Sequence, residues 1–202
     1  MTYKNTLFSD ELPPGATKRL EETLVGIAGA GGLGSNLAHL LVRSGFTRLR
    51  VVDFDRVEAS NLSRQYYFPH QVGMLKVEAL KRNLLAINPH LALDAVAIRI
   101  EAENALRLFA PCHIIAECLD EAKEKSMFIA SVLPANRFLI SVSGIGGIGD
   151  ASTVGVHRIK DNLIIVGDLT SSVEKRPPFA PKVNAAAAFV ADLILHHTVG
   201  SY

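Results

Sequence analysis

VGIAGAGGLGSNLAHLLVRSG, residues 25–45, decides the fold. It opens on four apolar residues, Val25 to Ala28, which read as a buried strand. Gly29, Gly31 and Gly34 follow at G-x-G-x-x-G spacing, with Gly32 among them. A helical pattern then runs from near Gly34 to a glycine stop at Gly45. Glycines between a strand and a helix let backbone N–H groups close on phosphate at the positive end of the helix. The next apolar run, LRVVDF, ends at Asp53, about 20 residues beyond Gly34, where a carboxylate accepts from ribose hydroxyls. The stretch therefore outlines a nucleotide site, and the glycines leave open which nucleotide.

Strand and helix patterns alternate outward from it. Residues 75–89 carry Leu75, Ala79, Leu80, Leu84 and Ile87 on one helical face, and Asn88-Pro89 stops them. LDAVAIRI, HIIAEC and FLISVSG read as the third, fourth and fifth strands, with helices AENALRLFA and DEAKEKSMFIASVLPA between them. This rhythm predicts an α/β fold with a doubly wound, mostly parallel, Rossmann-like sheet, and ligands beyond the carboxyl ends of its strands. STVGVHRI and LIIVGD follow with no helix between them, which predicts an antiparallel C-terminal extension at the sheet edge. KVNAAAAFVADLILHHTVG is too apolar for a solvated face and predicts a final packing helix or a subunit interface. Lys182, Asn184, Asp192 and the His196-His197 pair argue against a membrane span.

The chain has 202 residues, with 49% hydrophobic and 20% charged residues and a formal net charge of +1. This composition suits one globular domain over residues 1–202, with a loosely ordered start over residues 1–16. The charge balance gives no general pull toward nucleic acid or anionic membrane. The polar start and the lack of a long apolar run lead us to expect a cytoplasmic protein. The two cysteines, Cys112 and Cys118, flank an apolar run and read as buried reduced thiols. With no C-x-x-C pair and no completing histidines at ligand spacing, no zinc is expected.

DFDRVEASNLSRQYYF, beginning at Asp53, narrows the chemistry. Behind Asp53 and Asp55 it sets a polar loop holding Asn61, Arg64 and Gln65 near the strand ends. Arginine offers fixed donors suited to phosphate oxygens. Lys76, in the first turn of the next helix, adds a point charge within reach of the same pocket. An NAD-dependent oxidoreductase accounts for the glycines and Asp53 but leaves Arg64 and Lys76 idle.

Four motifs in order, GAGGLGSNLAHLLVRSG, VVDFDRVEASNLSRQ, GMLKVEALKRNLLAINP and ECLDEAKEKSMF, resemble the adenylating domain of the ThiF/MoeB/HesA family, relatives of the ubiquitin-activating enzymes. The tail from SGIGGIGD onward resembles the short, zinc-less ThiF branch of thiamine biosynthesis. The resemblance implies ATP on the loop containing Gly29, Gly31, Gly32 and Gly34, with Asp53 at the ribose and Asp55 beside it. It implies that Asn61, Arg64, Gln65 and Lys76 hold the triphosphate and that Asp120 binds Mg²⁺. Arg64, Lys76 and Asp120 would be the catalytic groups. The implied reaction is attack on the α-phosphorus by the C-terminal glycine carboxylate of a small ubiquitin-like sulfur carrier protein with a Gly-Gly tail, releasing pyrophosphate. A carboxylate is already ionised at neutral pH, so none of the seven histidines is assigned a role.

The resemblance also implies a homodimer, with Phe189, Val190, Leu193 and Ile194 on the last helix available to bury and Arg19 the candidate for an arginine reaching into a partner's site. The chain departs from the family at Glu121, where many relatives carry Asn, and has no cysteine after Cys118 for a covalent carrier link. Two alternatives accompany the dehydrogenase: an adenylating dehydratase of a modified tRNA base, and a non-catalytic nucleotide-binding partner of a ubiquitin-like protein.

Overall fold

The structure, a computed structural model, describes residues 12–173 and 175–200. Most of the expected loose start, residues 1–16, lies outside them, and Ala16 already opens helix α1 (Ala16–Glu22). The strands are β1 (Val25–Ala28), β2 (Arg48–Val52), β3 (Ala92–Val96), β4 (Ile114–Glu117), β5 (Phe138–Val142), β6 (Gly155–Lys160) and β7 (Leu163–Gly167). The helices are α2 (Gly32–Arg43), α3 (Lys76–Ile87), α4 (Ala102–Phe109), α5 (Ala122–Val132) and α6 (Ala180–Val199).

One seven-stranded sheet results, in the order β3-β2-β1-β4-β5-β7-β6. Every neighbouring pair is parallel except β6 with β7, the antiparallel extension. The chain reverses its direction of travel across the sheet between β1 and β4. A crevice therefore opens beyond their carboxyl ends, where such sheets bind ligands. β1 and β4 are buried along their whole length, as central strands covered on both faces must be.

Two local boundaries differ from expectation. α2 begins at Gly32, ahead of Gly34, because the Ser35 N–H already donates to the Gly31 carbonyl at 3.0 Å and closes the first turn. β3 ends at Val96, whose carbonyl takes the Asp53 N–H at 3.1 Å, and residues 97–100 leave the ladder toward the crevice.

On one face, α1, α2, α3 and α6 share a core with the sheet; on the other, α4 and α5 do. Phe109 and Phe128 meet edge to face there, with ring centres 5.2 Å apart. α6 packs along α2 and buries Val183, Ala186, Ala187, Val190 and Ile194. This corrects the basis for the dimer. Val190 and Ile194 are fully buried within their own chain, and Phe189 is the large apolar residue on α6 left exposed, at 41%.

Arg19 has an intrachain role in the structure. Its guanidinium donates to the Thr198 and Val199 carbonyls at 3.0 and 2.7 Å, closing the carboxyl end of α6. That lies at the amino-terminal edge of the sheet, away from the crevice, so Arg19 serves as a helix cap. Among the described residues no helix is long and apolar enough to cross a membrane.

Candidate active site

The loop after β1 is shaped by backbone geometry. Gly29 has φ +96°, a conformation that side chains resist, and a Cβ on Gly34 would enter the space of the Gly29 carbonyl oxygen. α2 can thus start directly beneath the loop only if position 34 lacks a side chain. Gly34→Ala is expected to lower stability by about 1–3 kcal/mol through overpacking, measured by denaturant unfolding. Gly31 lies between Asp120 and Gln65: a Cβ there would meet the Asp120 carboxylate at 3.6 Å and the Gln65 amide nitrogen at 3.9 Å, ordinary contact distances.

Asp53 follows β2 and is 9% exposed. Its carboxylate accepts the Ala30 N–H at 2.6 Å and the Asp55 N–H at 2.7 Å, tying the glycine loop to the end of β2. Burial pushes its pKa upward, against the Lys76 ammonium and those two N–H donors. Tyr67 braces the loop from behind, donating to the Ala30 carbonyl at 2.7 Å.

Lys76 is the first residue of α3 and 6% exposed. Its Nζ lies 2.8 Å from Asp55 Oδ2. Gly29, Gly31, Asp53, Asp55, Lys76 and Asp120 line one cavity of about 230 Å³. Phe54, Arg99, Glu121 and Glu124 close its outer side. The Arg99 guanidinium lies 4.1 Å from the Phe54 ring centre and 3.3 Å from Glu124. None of these outer residues except Glu121 stood out in the sequence.

Asn61, Arg64 and Gln65 do not line this cavity. They lie beside α2 in a short 3-10 turn (Ala59–Ser63) and the residues after it. Asn61 Oδ1 accepts the Glu58 N–H at 3.0 Å, which shapes the turn. Arg64 donates to the Ser60 carbonyl at 3.1 Å from an exposed position. Gln65 is buried, and its Oε1 has no hydrogen-bond partner among the described residues. A buried acceptor left open is expensive unless a ligand donor reaches it.

Two residues unnoticed in the sequence hold this turn in place. The Ser35 hydroxyl accepts the Tyr66 N–H at 3.0 Å, and the Asn36 amide donates to the Arg64 carbonyl at 2.8 Å. Both fall in the GSN following the glycines, where small polar residues early in a helix signal bonds to neighbouring backbone.

Asp120 follows β4. Among the described residues no group of three or more histidine, cysteine, aspartate or glutamate side chains converges to hold a metal. Mg²⁺ needs no such cage. It takes one or two carboxylates and completes its shell with water and phosphate oxygens, and Asp120 as an oxygen donor fits that pattern. Cys112 and Cys118 are buried. Burial pushes the Cys112 thiol up to about 11 and Cys118 well above its usual range, so both are protonated and unreactive at neutral pH.

A family profile described as "ThiF family" matches residues 3–194. The "Adenylyltransferase and sulfurtransferase UBA4" of Candida glabrata is 34% identical over 142 residues, covering 70% of this chain and 33% of that protein. The "Sulfur carrier protein adenylyltransferase" of Thermus thermophilus is 35% identical over 119 residues, covering 58% of this chain and 44% of that protein. The chain thus spans less than half the length of these curated relatives. Among solved structures, the tRNA N6-threonylcarbamoyladenosine dehydratase of E. coli in complex with ATP superposes with TM-score 0.83 at 18% identity. The superposition covers 92% of this chain and 89% of that one. E. coli MccB with AMPCPP and MccA gives TM-score 0.70 at 21% identity, over 90% and 57%. These two likenesses concern the fold.

Proposed function

Because the chain belongs to the ThiF family, we propose that it is one ATP-dependent adenylating domain. In this reading it activates the C-terminal glycine carboxylate of a small ubiquitin-like sulfur carrier protein. The observation that carries it is the shared cavity in which the glycine loop, Asp53, Lys76 and Asp120 face one another. Asp53 receives the ribose, and the loop and the α2 amino terminus receive phosphate. Lys76 leaves Asp55 for the triphosphate. Arg64 swings from the Ser60 carbonyl toward the same phosphates, and Asn61 and Gln65 complete the phosphate side. Gln65 Oε1 then gains a donor from the bound nucleotide or its water shell.

The acceptor carboxylate attacks the α-phosphorus and the α–β bridge breaks. The electron pair leaves with pyrophosphate, and no proton moves. The work of the residues is therefore to hold two anions together and to stabilise charge on the phosphoryl oxygens. A bound Mg²⁺ would be held by Asp120 and would add charge neutralisation there.

Pyrophosphate exchange into ATP tests the reading. Exchange is expected only when a Gly-Gly-tailed carrier is present, with Mg-ATP bound and NAD not bound in calorimetry. NAD binding more tightly than Mg-ATP would return the dehydrogenase. A second reading, ATP-dependent dehydration of a modified tRNA base, draws on the match in length with the E. coli dehydratase. The net charge of +1 lends it little support, because RNA binders usually carry an excess of basic charge, and ATP turnover dependent on tRNA alone would favour it. We place the site within a homodimer, with Phe189 exposed for the contact; light scattering at the mass of one chain would overturn that part.

A further inference from the structure

A second cavity, of about 250 Å³, lies on the other side of Asp120. It shares Cys118, Leu119 and Asp120 with the first, so the two meet at the turn after β4. Its far wall is formed by residues 143–145 and 169–173, which follow β5 and β7. Lys125, on α5, is the one basic side chain among the described residues that line it.

Lys125 is held in place. Its Nζ lies 3.0 and 3.2 Å from the two carboxylate oxygens of Glu117. Glu117, at the end of β4, is fully buried. It also accepts the Ser141 hydroxyl at 2.5 Å and the Leu119 N–H at 2.7 Å. The carboxylate is therefore committed to the interior, while the Lys125 side chain keeps 19% of its surface exposed. An ammonium has three donors, and Glu117 takes at most two.

We propose that Lys125 receives the terminal carboxylate of the acceptor, in the second cavity, as the adenylation substrate threads toward Asp120. The ligand class is the C-terminal carboxylate of an extended glycine-rich peptide tail. The proposal rests on the adenylation reading and adds a residue to it. An anionic nucleophile has to approach a triphosphate past the Asp120 carboxylate. A cation on the acceptor's side offsets that repulsion and aims one carboxylate oxygen at the phosphorus. Lysine serves as a point charge here.

The test separates the proposal from the reading beneath it. A synthetic ten-residue peptide ending in Gly-Gly, as free acid and as C-terminal amide, is titrated by anisotropy into the protein holding Mg²⁺ and a non-hydrolysable ATP analogue. The acid is expected to bind about tenfold or more tightly than the amide. Lys125→Gln removes that preference and Lys125→Arg restores most of it. A wild type that does not prefer the acid, or a Lys125→Gln variant that still does, overturns the proposal. Calorimetry of the analogue alone bears on the adenylation reading: if it fails to bind wild type, that reading falls, whereas normal binding with no acid preference removes only the role of Lys125.

Discussion

Lys76→Met is expected to lower carrier-dependent pyrophosphate exchange by about 100–1,000-fold, the loss that follows removal of one group stabilising transition-state charge. The position argues for this. Lys76 is the first residue of α3, where the positive end of the helix dipole disfavours a cation, and it is nearly buried. Stability alone would not select lysine there. Its partner Asp55 has a side chain 47% exposed, so the pair is open to exchange for a stronger anion. The variant also loses the charge that opposes the upward shift of Asp53. A carboxyl whose folded pKa is raised adds stability at low pH and loses it as pH rises through that folded value. Unfolding across pH 4–8 should therefore show the variant losing more stability than wild type as pH rises. Exchange within about threefold of wild type would mean that the phosphate is neutralised elsewhere.

Lys182→Met is expected to cost about 3–5 kcal/mol of stability, as breaking a buried ion pair from one side does. Lys182, in the first turn of α6, is 2% exposed and donates to Asp168 at 2.7 Å, Asp150 at 2.9 Å and the Gly146 carbonyl at 3.0 Å. It thereby joins α6 to the loops after β5 and β7. Burial would raise the Asp168 carboxyl, but hydrogen bonds from Lys182 and from the Ser171 and Thr170 N–H groups outweigh it and hold the group far below the carboxylate range. A depressed carboxyl adds stability above its unfolded pKa of about 4 and loses it as pH falls below that. Wild type should thus weaken on acidification below about pH 4, and the variant, already without the pair, should weaken less. Asp150→Asn, which leaves Asp168 in place, is expected to cost less than Lys182→Met. Equal acid sensitivity in wild type and Lys182→Met would show that other carboxylates carry the acid response.

Much of this was legible in the chain. The glycines, Asp53 and Lys76 occupy element ends that periodicity alone locates, and their convergence follows from parallel topology. Asp120 was reached through resemblance, since one carboxylate after a strand carries no spacing signal of its own. The interior polar contacts were not legible. Lys182 reads in sequence as a break in an apolar helix, and only the fold shows the two aspartates that surround it. Glu117 and Lys125 are eight residues apart, and they meet because the chain turns from β4 into α5. The contact of Arg19 with the end of α6 was not legible either, because arginine has the same signature whether it caps a helix or reaches into another subunit.

The docking of α6 on α2 also bears on the order of folding. The helix beneath the glycine loop is covered by residues 180–199, well over a hundred positions further along the chain, and Arg19 closes on the last carbonyls of the same helix. Contacts of such high sequence separation form late and slow the search. During synthesis the nucleotide loop would therefore emerge before α6 and stay loose until α6 leaves the ribosome. Competence to bind nucleotide and completion of the core would then arrive as one event.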